Sequence, residues 1–179
     1  MDKRSPAPEA QPQIDVFLKP GEYFVGDDTH RIRTLLGSCV SVTLWCPLRR
    51  VGAMSHFLLA RRGRAARMPA GLDGRYGDEA LRLMLDELAR SDVLPAQCQA
   101  KIFGGGEMFP RQVARSAMSI GRRNGEAARE LLLSQGIEVV SESLFGTGHR
   151  QIIFDVRSGD VWSRQIGIGN DPSQPPASS

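Results

Sequence analysis

Cysteine is scarce in this chain and odd in number: Cys39, Cys46 and Cys98 are the full set. No two of them have a CxxC spacing, so a disulfide framework is not expected and the reduced thiols of a cytoplasmic protein fit better. Three cysteines and three histidines at irregular spacings lack the paired ligands of a structural zinc site, and no metal or other cofactor is expected. Aromatic residues are only 6% of the sequence, and none interleaves with a basic run. Charge of one sign hardly dominates: Lys+Arg 23 against Asp+Glu 20 leaves +3. Nucleic acid is therefore not an expected partner. No run approaches the roughly 18 apolar residues of a membrane span. No apolar stretch follows the charges of the opening MDKRSPAPEAQPQ. Neither a signal peptide nor membrane insertion is expected.

What remains is ordinary globular composition, 41% hydrophobic and 24% charged over 179 residues, enough for one domain with a real core. Residues 1–13 are rich in Pro, Ala and Gln, and 169–179 read the same way. Both are expected to be disordered tails around a single domain at 14–168, because they bury too little apolar surface to offset ordering entropy. Within the domain, Asp78 to Arg90 places Leu81, Met84, Leu85 and Leu88 on one helical stripe, with Asp78 as the expected N-cap. A second helix is expected from Gly125 to Gln135, with Asn124 as N-cap and Gly136 as its stop. Short runs rich in β-branched residues predict strands at His30–Leu35, Val40–Trp45, Val51–Phe57, Ala100–Phe103, Ile137–Glu142 and Gln151–Val156. Strands outnumber helices and do not alternate with them. The pattern points to a mixed, layered α/β fold flanked by two main helices rather than to a doubly wound parallel sheet.

Chemistry concentrates at Gly37-Ser38-Cys39-Val40. A Gly-Ser turn between two apolar runs can expose the sulfur of Cys39 and leave nearby N–H groups free to stabilise an oxyanion. The plainer reading is a small buried hydrophobe, the usual fate of a free cysteine. Cys46 and Cys98 lack this setting. His56 ends the strand from Val51, and strand alternation puts it among apolar neighbours with Met54 and Leu58. Burial there lowers an imidazole pKa and keeps a neutral base available. A short turn at Pro47 to Arg50 predicts a β-hairpin, which brings Cys39 at the start of one strand beside His56 at the end of the next. A satisfied core histidine is the alternative. His30 is expected to be exposed, and His149 is a reserve base. Gly104, Gly105 and Gly106 follow a strand without the GK[ST] of a phosphate loop; they read as a backbone passing close to the site. The run Arg61 to Arg67 is a solvated basic loop or a dock for an acidic partner.

In this order, these segments resemble the CheD family of chemotaxis proteins. The carriers are Thr34 to Val42 (TLLGSCVSV), Val51 to Leu59 (VGAMSHFLL), Arg75 to Asp78 (RYGD), Lys101 to Gly106 with Met108 and Phe109, Ile120-Gly121 with Arg123-Asn124, and Gly146 to Asp155 with Arg150. The resemblance implies an α/β sandwich. It also implies a deamidase that hydrolyses glutamine side chains in the cytoplasmic helices of chemoreceptors, and a possible CheC-type phosphatase as partner. Cys39 then corresponds to the nucleophile and His56 to the base, with Gly37 and Ser38 at the oxyanion turn and Gly104 to Gly106 beside the substrate. Two positions depart from the pattern. The family's orienting threonine is expected six residues before the cysteine, where Arg33 stands. Thr34 stands five before, and strand alternation points the two to opposite faces, so either Thr34 serves through a local bulge or another group does the orienting. His149 occupies a place where glycine is more usual. A non-catalytic adaptor for a receptor or phosphatase is the alternative function, and a peptidase or transamidase would use the same residues.

Overall fold

The computed structural model describes residues 12–63, 71–108 and 118–167. The expected tails fall almost wholly outside these residues. Gln13 does not: its Nε2 donates to Asp155 Oδ1 at 2.7 Å.

Among the described residues, nine strands and two α-helices follow in chain order: β1 Ile14–Phe17, β2 Tyr23–Asp27, β3 His30–Leu36, β4 Val40–Cys46, β5 Val51–Ser55, α1 Gly77–Ala89, β6 Gln99–Gly104, α2 Ile120–Ser134, β7 Glu138–Leu144, β8 His149–Asp155 and β9 Val161–Ile166. They build two mixed sheets, β1-β3-β8-β9 and β2-β5-β4-β6-β7. The fold is the mixed, layered α/β class expected, with three layers. Both helices pack on the five-stranded sheet, and the four-stranded sheet covers its other face.

Alternation along the central strand explains the layering. Val40, Val42, Leu44 and Cys46 of β4 join a core with Ala80, Met84 and Leu88 of α1 and Ala128 and Leu132 of α2. On the opposite face Trp45 of β4 packs with Met54 of β5 and Phe103 of β6 against the core formed with Ile32, Leu36, Ile152 and Phe154 of the other sheet. One strand thus feeds two cores because successive side chains point to opposite faces.

Several expectations need correction. β1, β2 and β9 are additional strands. β1 is short and largely exposed, and β9 reads VWSRQI, so neither carries the apolar alternation that marks a strand. Asp78 is not an N-cap; Tyr76 is, with no side-chain cap bond. The first N–H groups of α1 are taken instead by backbone, Gly77 N–H by Leu59 O at 2.8 Å and Asp78 N–H by Ala60 O at 3.2 Å. Asn124 is not an N-cap either. α2 begins five residues earlier, behind Ser119, whose Oγ accepts from Arg122 N–H at 3.2 Å. The Ile-Gly-Arg-Arg-Asn start has weak helix propensity, and tertiary packing overrides it. A Cβ on Gly121 would lie 2.6 Å from the carbonyl oxygens of Gly105 and Gly106, so only glycine permits this approach.

Candidate active site

The antiparallel pair β4–β5 supports the site. Thr43 pairs with Met54, and the same register continues to a bridge between Val40 and Phe57. Cys39 lies just before that bridge and His56 just before Phe57. Val40 and Phe57 belong to the helix-side core, whereas Cys39 packs against the core between the sheets. His56 points the same way, since it meets Thr34 of β3 in the opposite sheet. The two side chains therefore share one face as diagonal neighbours across a strand pair, a relation that longer side chains can span.

His56 is 2% exposed. Its backbone is clamped by the two residues ahead of β2, with His56 N–H donating to Glu22 O at 2.9 Å and Gly21 N–H to His56 O at 2.7 Å. Thr34 Oγ1 donates to Leu18 O at 2.8 Å and stands 2.7 Å from His56 Nδ1. A hydroxyl has one proton. With that proton on Leu18 O, Thr34 accepts from His56 Nδ1–H, and the lone pair of the neutral ring is on Nε2. Burial pushes the imidazole pKa down; the Leu18 carbonyl and the charge of Glu22 pull the other way. No bulge is needed to bring Thr34 here. β3 pairs β8 without a register shift from Arg31 to Leu36, and Thr34 faces inward with Ile32 and Leu36.

Cys39 is half-buried, and the other two cysteines are buried. Burial pushes its thiol up, countered by its own N–H. Burial also drives Cys98 up, to about 11, with Cys46 alongside it. Cys98, read in sequence as part of a polar linker, is in fact a core residue at 4% exposure. His30, expected to be exposed, is half-buried against Phe24 and bonded through Nδ1 to Asp27 Oδ1 at 2.9 Å.

The turn before Cys39 is held by its carbonyls. Gly106 N–H donates to Gly37 O at 2.9 Å and Gly105 N–H to Cys39 O at 2.9 Å. Asn124 Nδ2 donates to Ser38 O at 3.2 Å and to Leu58 O at 2.7 Å. Among the described residues nothing accepts from Ser38 N–H, and Cys39 N–H has no acceptor beyond its own sulfur. Gly104 sits at φ +109°, and a Cβ there would lie 2.3 Å from Cys39 O. The three glycines thus do pass close to the turn, as backbone support.

A sequence model of the family described as CheD chemotactic sensory transduction matches residues 58–165, more than half of the chain. The chain belongs to the CheD family. It is 63% identical over 159 residues to the probable chemoreceptor glutamine deamidase CheD 2 of Albidiferax ferrireducens, covering 88% of this chain and 91% of that one. It is 46% identical to the probable chemoreceptor glutamine deamidase CheD 3 of Dechloromonas aromatica, over 83% of this chain and 85% of that one. Cys39 and His56 precede the span matched by the family model. The Albidiferax alignment is long enough that it must include both. Among solved structures, the Bacillus licheniformis hypothetical protein YfiH overlaps 73% of this chain and 60% of its own at 15% identity and a TM-score of 0.43.

In this CheD-family chain the remaining candidates fall as follows. His149 opens β8 and is exposed; a Cβ on Gly37 would lie 3.8 Å from its Nδ1, so it stands over the turn rather than beside His56. Arg62 of the basic run bonds Glu79, with Nη2 to Oε2 at 2.8 Å, and lies over the Tyr76 ring. It is therefore engaged within the fold; Arg64 and Arg67 lie outside the described residues. Two residues that were given no part in the site reading now border it. Asn124 braces the turn, and buried Arg150 donates to Gly104 O at 3.1 Å and Phe145 O at 3.0 Å. A polar residue five places into a helix of weak propensity was the signal for Asn124. Nothing local in the sequence marks Arg150 as buried. Among the described residues, no helix is long and apolar enough to cross a membrane.

Proposed function

We propose that this chain is a protein-glutamine deamidase of bacterial chemotaxis, converting glutamine side chains of chemoreceptors to glutamate through a thioester on Cys39. Its CheD membership and its likeness to proteins named for that activity carry the substrate class. One observation supports the chemistry above the others: Thr34 Oγ1 stands 2.7 Å from His56 Nδ1, on the face that Cys39 shares, and in the Nδ1–H tautomer this leaves Nε2 as the base.

His56 Nε2 takes the Cys39 proton as sulfur bonds to the carboxamide carbon. The N–H groups of Ser38 and Cys39 receive the oxyanion. His56 returns that proton to the departing nitrogen, the C–N bond breaks, and ammonia leaves a thioester. Water then attacks with His56 again as base; the C–S bond breaks, the carboxylate leaves and the thiol regains its proton. The shifts at rest favour a neutral thiol–imidazole pair, so proton transfer accompanies attack.

On this reading the reaction takes place in the cytoplasm, on receptor cytoplasmic helices. A CheC-type phosphatase is the further partner expected, and co-purification of the two proteins tests it. The enzymatic reading is tested by ammonia release from a purified chemoreceptor cytoplasmic fragment. Wild-type protein releases it, and Cys39→Ala and His56→Ala do not. Equal release by Cys39→Ala overturns the mechanism.

A further inference from the structure

The three carbonyls of the Cys39 turn are all held from the protein side, and each belongs to a peptide whose N–H matters. In a trans peptide the C=O and the N–H point in opposite directions, and no peptide bond here is cis. Gly37 C=O shares its peptide with Ser38 N–H, and Gly106 N–H holds that oxygen at 2.9 Å. Ser38 C=O shares its peptide with Cys39 N–H, and here the holder is a side chain, Asn124 Nδ2 at 3.2 Å. The first anchor is backbone to backbone. The second depends on one residue of α2.

Asn124 is well built for this task. It is 2% exposed, and the same Nδ2 reaches Leu58 O at 2.7 Å, two residues beyond His56. An amide nitrogen that faces two carbonyl oxygens has its orientation fixed, because the flipped amide would set oxygen against oxygen. α2 is itself seated by Gly121 on the carbonyls of Gly105 and Gly106. The helix and the chain on either side of the open end of the β4–β5 pair therefore meet at this side chain, and the glycine run seats the helix nearby.

We propose that Asn124 is a positioning residue that aims the Cys39 N–H at the substrate oxyanion by holding the opposite end of the same peptide. This rests on the deamidase reading above. It makes a separable claim, that Asn124 acts more on stabilisation of the tetrahedral oxyanion than on formation of the thiolate, which the same N–H also favours. Alkylation of Cys39 needs the thiolate but no oxyanion site, whereas amide hydrolysis needs both.

The experiment compares wild type, Asn124→Ala and Asn124→Asp. It reads kcat and KM for ammonia release from a chemoreceptor cytoplasmic fragment, the rate of Cys39 alkylation by iodoacetamide, and the melting temperature. Loss of one aimed donor should lower kcat by about 10²-fold, with KM and the alkylation rate little changed. Asn124→Asp keeps the shape if the alanine variant does not fold. Its carboxylate repels both carbonyls, and its protonated form regains a donor, so its deficit relative to wild type should narrow as the pH is lowered. A folded Asn124→Ala with wild-type kcat overturns the proposal. So does a parallel fall in kcat and alkylation in whichever variant folds, or an Asn124→Asp deficit that ignores pH. If wild type releases no ammonia, or Cys39→Ala releases as much, the deamidase reading itself has failed, a result distinct from these.

Discussion

Thr34 Oγ1 lies 2.7 Å from His56 Nδ1 and donates to Leu18 O at 2.8 Å, so one buried hydroxyl joins the imidazole to the chain ahead of β2. The relation crosses the two sheets. β3 supplies the threonine and the end of β5 supplies the histidine. The core between the sheets holds them in register. A satisfied core histidine would also be bonded in this way. The difference is the half-exposed cysteine on the same face.

Thr34→Val removes the acceptor for Nδ1–H while keeping the volume. Nε2 is then no longer held as the free base, and kcat should fall by roughly 10²-fold, the low end of what general-base catalysis supplies. Thr34→Ser should retain most activity. Steady-state ammonia release checks both, and nitrogen NMR of the imidazole should show a mixture of tautomers only in the valine variant.

The pH dependence follows from two opposite displacements. Burial lowers His56 and raises Cys39. His56 binds its proton less readily folded than unfolded, so its contribution to stability is complete above the ordinary imidazole value of about 6.5 and is lost as pH falls from there through the folded value. For the thiol the sign reverses: its contribution is complete below the ordinary cysteine range and lost as pH rises through the folded value. Activity should therefore persist into mildly acidic solution. Alkylation of Cys39 should climb through the alkaline range. A flat alkylation profile from acid to neutral pH would instead mean a preformed thiolate–imidazolium pair.

Gly104→Ala tests the backbone support of the turn. The residue sits at φ +109°, and its new Cβ would lie 2.3 Å from Cys39 O. The backbone conformation alone costs about 1–3 kcal/mol. Thermal denaturation should show a clear loss of stability, and activity should fall with it. An unchanged melting temperature would mean that Gly104 is not constrained as described.

Arg62→Ala should lower thermal stability and leave receptor binding nearly unchanged. Its guanidinium is committed to Glu79 and the Tyr76 ring, which seat the loop against α1. Arg61 is exposed, so Arg61→Ala is the variant that should weaken binding and its salt dependence if this loop docks an acidic partner. Binding measured at two ionic strengths separates the two.

Much of this was legible in the chain itself. The strands that carry apolar alternation, β3 to β6 and β8, were readable because one or both faces are buried. The β4–β5 pairing was readable because a short turn joins two such strands. Of the edge strands, β7 was readable from its β-branched run, whereas β1 and β9 are too exposed to leave a pattern. The start of α2 escaped because Gly121 and Asn124 serve packing and bracing rather than helix propensity. Counting residues back from Cys39 cast doubt on Thr34. Inward alternation in an unbroken β3–β8 ladder brings it to His56 all the same. That contact depends on the distance between two sheets, which no spacing within one strand encodes.

The most direct test is mass spectrometry of a chemoreceptor cytoplasmic fragment after incubation with wild type, Cys39→Ala and a Cys46→Ala/Cys98→Ala double variant. The account predicts amide-to-acid conversion at discrete glutamines with wild type and the double variant, and none with Cys39→Ala. Conversion by Cys39→Ala at the wild-type rate would contradict it.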